Sequence, residues 1–258
     1  MLKRKPINIL SILAVVLLAI CSFFVTIPWW MYLLVFITWF LMTLLGSFLI
    51  RWNFHYTSIH SNKNIPNNCI ALTFDDGPDP IFTPQVLELL KHYNAKATFF
   101  CIGHKIEQHP ELLNAILENG HTVGNHTYSH SKSFGFYGTA RVQQELQRTT
   151  DLVKKLTDKK MNLYRPAFGV TNPNIKKAVQ ELGLHSIGWN VRSLDTTPRN
   201  EAMVLLRITS KVTKGDIVLL HDTSAKTVAV LERLLLFLQE KKLQSVTVDQ
   251  LLQLNAYV

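Results

Sequence analysis

Between Pro6 and Ile50 the sequence has no Asp, Glu, Lys or Arg. As a helix this stretch would extend about 67 Å, and one bilayer crossing takes about 20 residues. The missing charge predicts two membrane spans, 7–26 and 30–50, joined at Ile27-Pro28-Trp29-Trp30. Paired tryptophans suit a membrane–water interface, where an amphipathic ring is stable. Cysteine is also scarce. Cys21, Cys69 and Cys101 give no disulfide framework and read as one thiol in a span and two packed in strands. No basic stripe interleaved with aromatics accompanies the net charge of +9, so nucleic acid is not an expected partner. Lys154, Lys155, Lys159 and Lys160 form a solvated helix face suited to an anionic lipid surface. Internal repeats and low-complexity segments are absent as well.

No small-x-small cleavage motif follows the first apolar run, and a second apolar run begins at once. Both facts argue against a cleaved signal peptide despite the basic start Lys3-Arg4-Lys5. Leu18-Ala19-Ile20-Cys21 matches a lipoprotein site only loosely, with isoleucine where a small residue belongs. Basic residues flank the hairpin (Lys3, Arg4 and Lys5 before it, Arg51 and Lys63 after it) and its turn carries none. The expected topology is a two-pass membrane protein with both ends in the cytoplasm, and membrane lipid is an expected partner.

Residues 1–51 thus read as a membrane hairpin, 52–67 as a linker and 68–258 as a separate domain. Ser61-Asn62-Lys63-Asn64 and Pro66-Asn67-Asn68 supply the loop signals of the linker. Beyond it, strands alternate with helices. The predicted strands are 69–75, 97–102, 121–124, 162–164, 185–190, 216–221 and 245–248. Predicted helices cover 83–93, 110–118, 139–156, 173–182, 201–212 and 225–241, with a short one at the C-terminus. Such alternation implies an α/β fold with a mainly parallel sheet. An open doubly wound sheet and a barrel both satisfy it. Polar residues recurring at strand C-terminal ends favour the barrel, where sites form at that end.

Those ends carry the chemistry. Asp75 and Asp76 follow the first strand, His126-Thr127-Tyr128-Ser129-His130 the third, Arg165-Pro166-Ala167-Phe168-Gly169 the fourth and Leu219-Leu220-His221 the sixth. Trp189 and Asp195 accompany the fifth. A bare Asp-Asp-Gly is commonly an Asx turn, and a lone H-x-x-x-H is commonly two surface histidines. Together in one βα series they point to a site. If His126 and His130 sit on one helical turn, both imidazoles face the same way. Two histidines and an aspartate make a three-ligand site with an open position, for which zinc is the default among N/O-ligated metals. The second aspartate can then act as a base held by Arg165, and His221, oriented by Asp195, as an acid.

T-F-D-D-G-P, H-T-x-x-H, R-P-x-x-G and L-x-H, in that order, resemble the polysaccharide deacetylase family with the NodB homology domain (carbohydrate esterase family 4). The resemblance spans residues 67–250. It implies a distorted (β/α) barrel of seven units and removal of N- or O-acetyl groups from sugars with a divalent metal, usually Zn2+. Carried over by position, it implies that Asp75 is the general base and that Asp76, His126 and His130 bind the metal. It further implies that Arg165 orients Asp75, that a backbone N–H near Phe168 holds the oxyanion, and that Leu219 lines the acetyl pocket. His221 is then the general acid, tuned by Asp195. Two motifs depart from the family pattern. Arg165-Pro166-Ala167-Phe168-Gly169 lacks the usual second proline and tyrosine. Trp189-Asn190-Val191-Arg192-Ser193-Leu194-Asp195-Thr196 has Arg192 where a first aspartate is common and Thr196 where a tryptophan is common. The second departure bears on the substrate pocket, not on the metal site.

The expected function is a membrane-anchored, metal-dependent deacetylase. Its substrate would carry an N-acetyl (or O-acetyl or formyl) group on an amino sugar of a polysaccharide, peptidoglycan or lipid-linked saccharide. A cytoplasmic domain would favour the lipid-linked sugar. Two other classes share features of the site. Two histidines and a carboxylate also describe non-haem iron oxygenases, in which Asp75, Arg165 and His221 would have no role. A catalytically silent carbohydrate-binding protein would need none of the intact base, ligands and acid.

Overall fold

The computed structural model describes residues 3–258. Two apolar helices come first, α1 (Arg4–Cys21) and α2 (Trp29–Phe48). They lie against each other as a hairpin, and Trp39 Nε1 donates to Asn8 Oδ1 at 2.9 Å. No residue of α1 and only Gly46 of α2 is buried, so they are not core helices of the domain. Pro28, with its fixed φ and missing N–H, stands as the N-cap residue of α2.

The domain continues as β1 (Cys69–Asp75), α3 (Phe82–His92), β2 (Ala97–Cys101), α4 (Gly103–Gln108), α5 (Pro110–Glu118), β3 (Thr122–Asn125) and α6 (Thr139–Thr157). Then follow β4 (Leu163–Tyr164), α7 (Pro173–Glu181), β5 (His185–Ser186), β6 (Val191–Arg192), α8 (Glu201–Thr209), β7 (Ile217–His221), α9 (Ala225–Glu240), β8 (Gln244–Val246) and α10 (Val248–Leu252). Local chemistry sets the helix starts. Asn172, Asn200 and Ser224 cap α7, α8 and α9 by accepting from Ile175, Met203 and Thr227 N–H groups. Thr247 and Gln250 form a capping box on α10. In α3, Thr83, Val86, Leu87 and Leu90 are the buried stripe at helical spacing.

Among the described residues every strand ladder is parallel, and the sheet runs β5-β4-β3-β2-β1-β7-β6 with β8 pairing the start of β1. It curls into a half-barrel, the distorted barrel expected from the sequence. One strand differs from expectation. The fifth, expected over 185–190, breaks after Ser186, and the chain pairs again only at Val191–Arg192, with β7 instead of β4. Among the described residues no ladder joins β5 to β6. The N-terminal segment fills that seam: Ile59 N–H donates to Ser186 O, Gly188 N–H to Ile59 O, and Asn62 N–H to Gly215 O. The stretch expected as a linker is therefore packed into the domain, with Phe54 and Ile65 buried.

Period-2 alternation sorts the side chains of the central strands. Ile70, Leu72 and Phe74 of β1, and Val218 and Leu220 of β7, face the helices. Ala71 of β1 and Ile217 and Leu219 of β7 face the inside of the curl with Phe100, Leu163, Ile187 and Trp189. By the same alternation Thr73, Asp75 and His221 point inward. Gly215 tests the docked segment. It has φ +80°, and a Cβ there would lie 2.1 Å from Asn62 O. Gly215→Ala is expected to destabilise the domain by about 2 kcal/mol or more, from left-handed strain plus a forced backbone shift. A urea midpoint equal to wild type would mean that residues 57–65 are not part of the folded unit.

Candidate active site

Asp75 ends β1 and pairs in register with His221 at the end of β7, so two functional side chains stand side by side on the inner face. Asp76 lies one residue past the strand with φ 69°, and this left-handed residue swings its carboxylate to the same side. Lys105 Nζ holds the Asp76 carbonyl at 2.7 Å. The turn then passes over Asp222. A Cβ on Gly77 would fall 2.4 Å from the Asp222 oxygens, so only glycine fits there. Asp222 also accepts from the Thr83 hydroxyl, and burial pushes its carboxyl up to about 7.

The histidine loop differs from expectation. Residues 126–130 form an irregular loop, not a helical turn, because Thr127 and His130 adopt left-handed backbone (φ 68° and 47°). The imidazoles still converge, with ring centroids 4.9 Å apart. Three groups fix the loop. Asn125 Oδ1 accepts from Thr127 N–H at 2.9 Å. Glu145 Oε2 accepts from the N–H of Tyr128 (3.2 Å) and from the N–H and hydroxyl of Ser129 (2.7 and 2.9 Å). The Arg165 carbonyl accepts from His126 Nδ1 at 2.9 Å. With Nδ1 donating, His126 Nε2 carries the lone pair, the arrangement found when a neighbouring carbonyl orients a metal-ligating histidine.

Asp76 Oδ1 lies 3.3 Å from His126 Nε2 and 3.2 Å from His130 Nε2. The three ligand atoms fall within 4.8 Å of one another. Two imidazole nitrogens and one carboxylate oxygen on a common centre fit a divalent cation with open positions. Burial and the charge of His126 lower His130 to about 4, so its ring is neutral and able to ligate. Burial would raise Asp76, but the hydrogen bond to His126 and the charges of His126, His130 and His221 hold it well below the carboxylate range. Burial would lower His126, yet Asp75 and Asp76 raise it, so metal binding there is coupled to loss of a proton.

Two charged pairs flank the triad. Asp75 Oδ1 accepts from Arg165 Nη1 at 2.7 Å, and the guanidinium is fully buried. On the other side His221 Nδ1 meets Asp195 Oδ1 at 2.8 Å, and the His221 N–H donates to Asp195 Oδ2 at 2.8 Å. Asp195 is itself held by the hydroxyls of Ser193 and Thr227, both at 2.9 Å. His221 Nε2 faces Asp76 Oδ2 at 4.0 Å. Burial opposes the charged imidazole, but the hydrogen bond and charge of Asp195, joined by Asp75 and Asp76, raise His221 to about 9.

Phe168 is a left-handed residue (φ 57°) whose ring lies 4.5 Å from that of His130 and is half exposed. Leu219 sits two residues below His221 with its side chain buried inside the curl near Trp189. Residues singled out on five separate strand ends thus gather in one place. Sequence reasoning missed the positioning roles of Glu145, Asp222 and Thr73, whose hydroxyl accepts from Arg165 Nη1 at 2.7 Å. Glu145 did leave a signal. It falls on the buried stripe Val142, Glu145, Leu146, Thr149, Thr150 and Val153 of α6, where a lone carboxylate needs a partner.

A family model described as polysaccharide deacetylase matches residues 62–187. A peptidoglycan-N-acetylglucosamine deacetylase of Bacillus cereus is 37% identical over 202 residues, covering 73% of this chain and 91% of that protein. A similarly named enzyme of Listeria monocytogenes is 38% identical over 185 residues, but the chain spans only 39% of its length. Among solved structures, the peptidoglycan deacetylase PdaC from Bacillus subtilis superposes with a TM-score of 0.69 at 30% identity, covering 73% of this chain and 91% of that one.

Glu145 offers a test that leaves the ligands untouched. Glu145→Ala frees three donors of the histidine loop and is expected to weaken divalent-metal affinity about 10–100-fold, as loss of outer-shell support does. Competition with a chelating dye measures it, and an unchanged affinity would show that Glu145 does not position the ligands.

Proposed function

Since the chain belongs to the polysaccharide deacetylase family, we propose that it is a membrane-anchored, metal-dependent deacetylase that hydrolyses the N-acetyl group of an amino sugar. Family membership makes it a hydrolase of non-peptide carbon–nitrogen bonds. The observation that carries the finer reading is the convergence of one metal triad with two oppositely placed proton-transfer pairs, Asp75–Arg165 and His221–Asp195.

Asp76, His126 and His130 would hold the metal, with zinc as the cation suited to this donor set. When bound, such an ion polarises the acyl oxygen and lowers the pKa of water. The protein's own residues do the rest. Arg165 engages Asp75 Oδ1 and leaves Oδ2 to accept a proton from the attacking water. The water oxygen bonds to the acyl carbon, and the Phe168 peptide supports the developing oxyanion. His221, held by Asp195, delivers its Nε2 proton to the nitrogen as the carbon–nitrogen bond breaks, leaving acetate and a free amine. Leu219 lines the acyl side of the pocket. The N-terminal hairpin anchors the domain, and its flanking charges favour a cytoplasmic domain. The B. cereus relative acts on peptidoglycan by name; the sugar class here is a glycan or a lipid-linked saccharide.

Acetate release from N-acetylglucosamine oligomers by the full chain tests this reading. Release should stop with a chelator and return with a divalent metal; release that a chelator leaves unchanged would contradict it. The acid has its own signature. The general-acid form of His221 persists up to about 9, so kcat/KM should fall only above that pH. Asp195→Asn removes the charge that raises it and should move the alkaline limb toward the ordinary 6.5. An unmoved limb would take His221 out of that role.

A further inference from the structure

Unpaired positive charge collects where the membrane hairpin meets the domain. A cavity of about 660 Å³ opens there between the end of α2 and the β6–α8 region. One wall is cationic, formed by Arg51, Arg192, Arg207 and Lys211, and no carboxylate lines the cavity. Among the described residues none of these four is in a salt bridge. Arg207 Nε donates to the Arg192 carbonyl at 2.8 Å, which ties the two arginines together instead of neutralising either. Four like charges around one space repel unless an anion joins them, and arginine forks match phosphate oxygens.

The other wall is apolar. Phe48 and Leu49, at the end of the second span, are 59% and 41% exposed. The cavity thus sits where a bilayer's phosphate layer meets its hydrocarbon, and it suits an amphiphile better than a free ion.

It also shares a wall with the catalytic centre. Trp189 lines the cavity. The same indole lies 2.7 Å from where a Cβ of Gly169, next to Phe168, would stand, and 5.7 Å from the Arg165 guanidinium. Arg192 is the strand partner of Leu219 and lies 5.8 Å over the Trp189 ring.

We propose that this cavity binds the diphosphate group of a membrane lipid that carries the amino sugar, so that the substrate is a lipid-linked saccharide. The sugar part rests on the deacetylase reading; the phosphate part does not.

Native mass spectrometry of the full chain in detergent tests it with probes that bear no acetyl group: diacylglycerol diphosphate, phosphatidylglycerol and inorganic diphosphate. Wild type should half-saturate with diacylglycerol diphosphate at a concentration about tenfold below that for either other probe. Arg207→Gln with Lys211→Gln, both on the surface of or just past α8, should weaken that binding about tenfold, and so should Arg51→Gln. Lys91→Gln with Lys241→Gln, exposed at the ends of α3 and α9, should titrate as wild type. Charge variants at the cavity that bind as wild type would overturn the proposal. So would equal retention of phosphatidylglycerol, which marks a general headgroup contact, or of inorganic diphosphate, which marks a soluble anion site. Failure of acetate release from any sugar would remove the deacetylase reading yet leave this binding result standing. Loss of the binding result alone would leave that reading intact.

Discussion

Beneath the site lies an arginine side chain with no solvent exposure, and four of its five N–H donors are engaged by the protein. Arg165 donates to the Thr73 hydroxyl, Asp75 Oδ1, Ile187 O and Gly188 O, and stacks 4.1 Å over the Phe100 ring. These contacts tie β1, β2, β4 and the break after β5 to one planar group. Its own carbonyl orients His126. The proposed base and one of the proposed metal ligands are therefore placed by the same residue. Removing one partner of such a buried pair strands the other, at a cost of about 3–5 kcal/mol. The geometry of the site and the integrity of the curl are in this sense one constraint.

That constraint separates the tasks of two adjacent carboxylates. Asp75 is the last residue of a strand, inward-pointing and half engaged by Arg165. Asp76, one residue past the strand in left-handed backbone, brings its carboxylate to the same side and meets two imidazoles instead. Neighbours in sequence receive different partners because a strand ends between them.

Much of this is legible in the residues alone. The short apolar runs of β1, β2 and β7 suit strands covered on both faces, and helix starts announce themselves through Asn172, Asn200, Ser224 and Pro at first turns. The polar strand ends mark the residues that the fold brings together. What escapes is tertiary. Nothing local says that the chain leaves β4 after Ser186 to pair with β7 at Val191, or that residues 54–65 fill the resulting seam. The helical turn expected for His126 and His130 does not form because Thr127 and His130 take left-handed conformations that their side chains do not advertise. The Arg192 departure is visible as a change of residue type, but its setting in a cationic cavity beside the hairpin depends on packing across about 140 residues of chain.

The apolar hairpin packs directly on the domain. Ser47 O accepts from Thr171 N–H at 2.9 Å, just past the Phe168 turn, and Gly46 has no room for a Cβ beside the Phe54 ring. Apolar hairpin and site loop are in direct contact, so the fold fixes the hairpin relative to the catalytic centre. The central claim is the division of labour at Asp75 and Asp76, and paired metal analysis and acetate release on Asp75→Asn and Asp76→Asn test it most directly. Asp75→Asn is expected to keep its metal and lose turnover, and Asp76→Asn to lose both. Metal lost from Asp75→Asn but kept by Asp76→Asn, or turnover retained without Asp75, would contradict it.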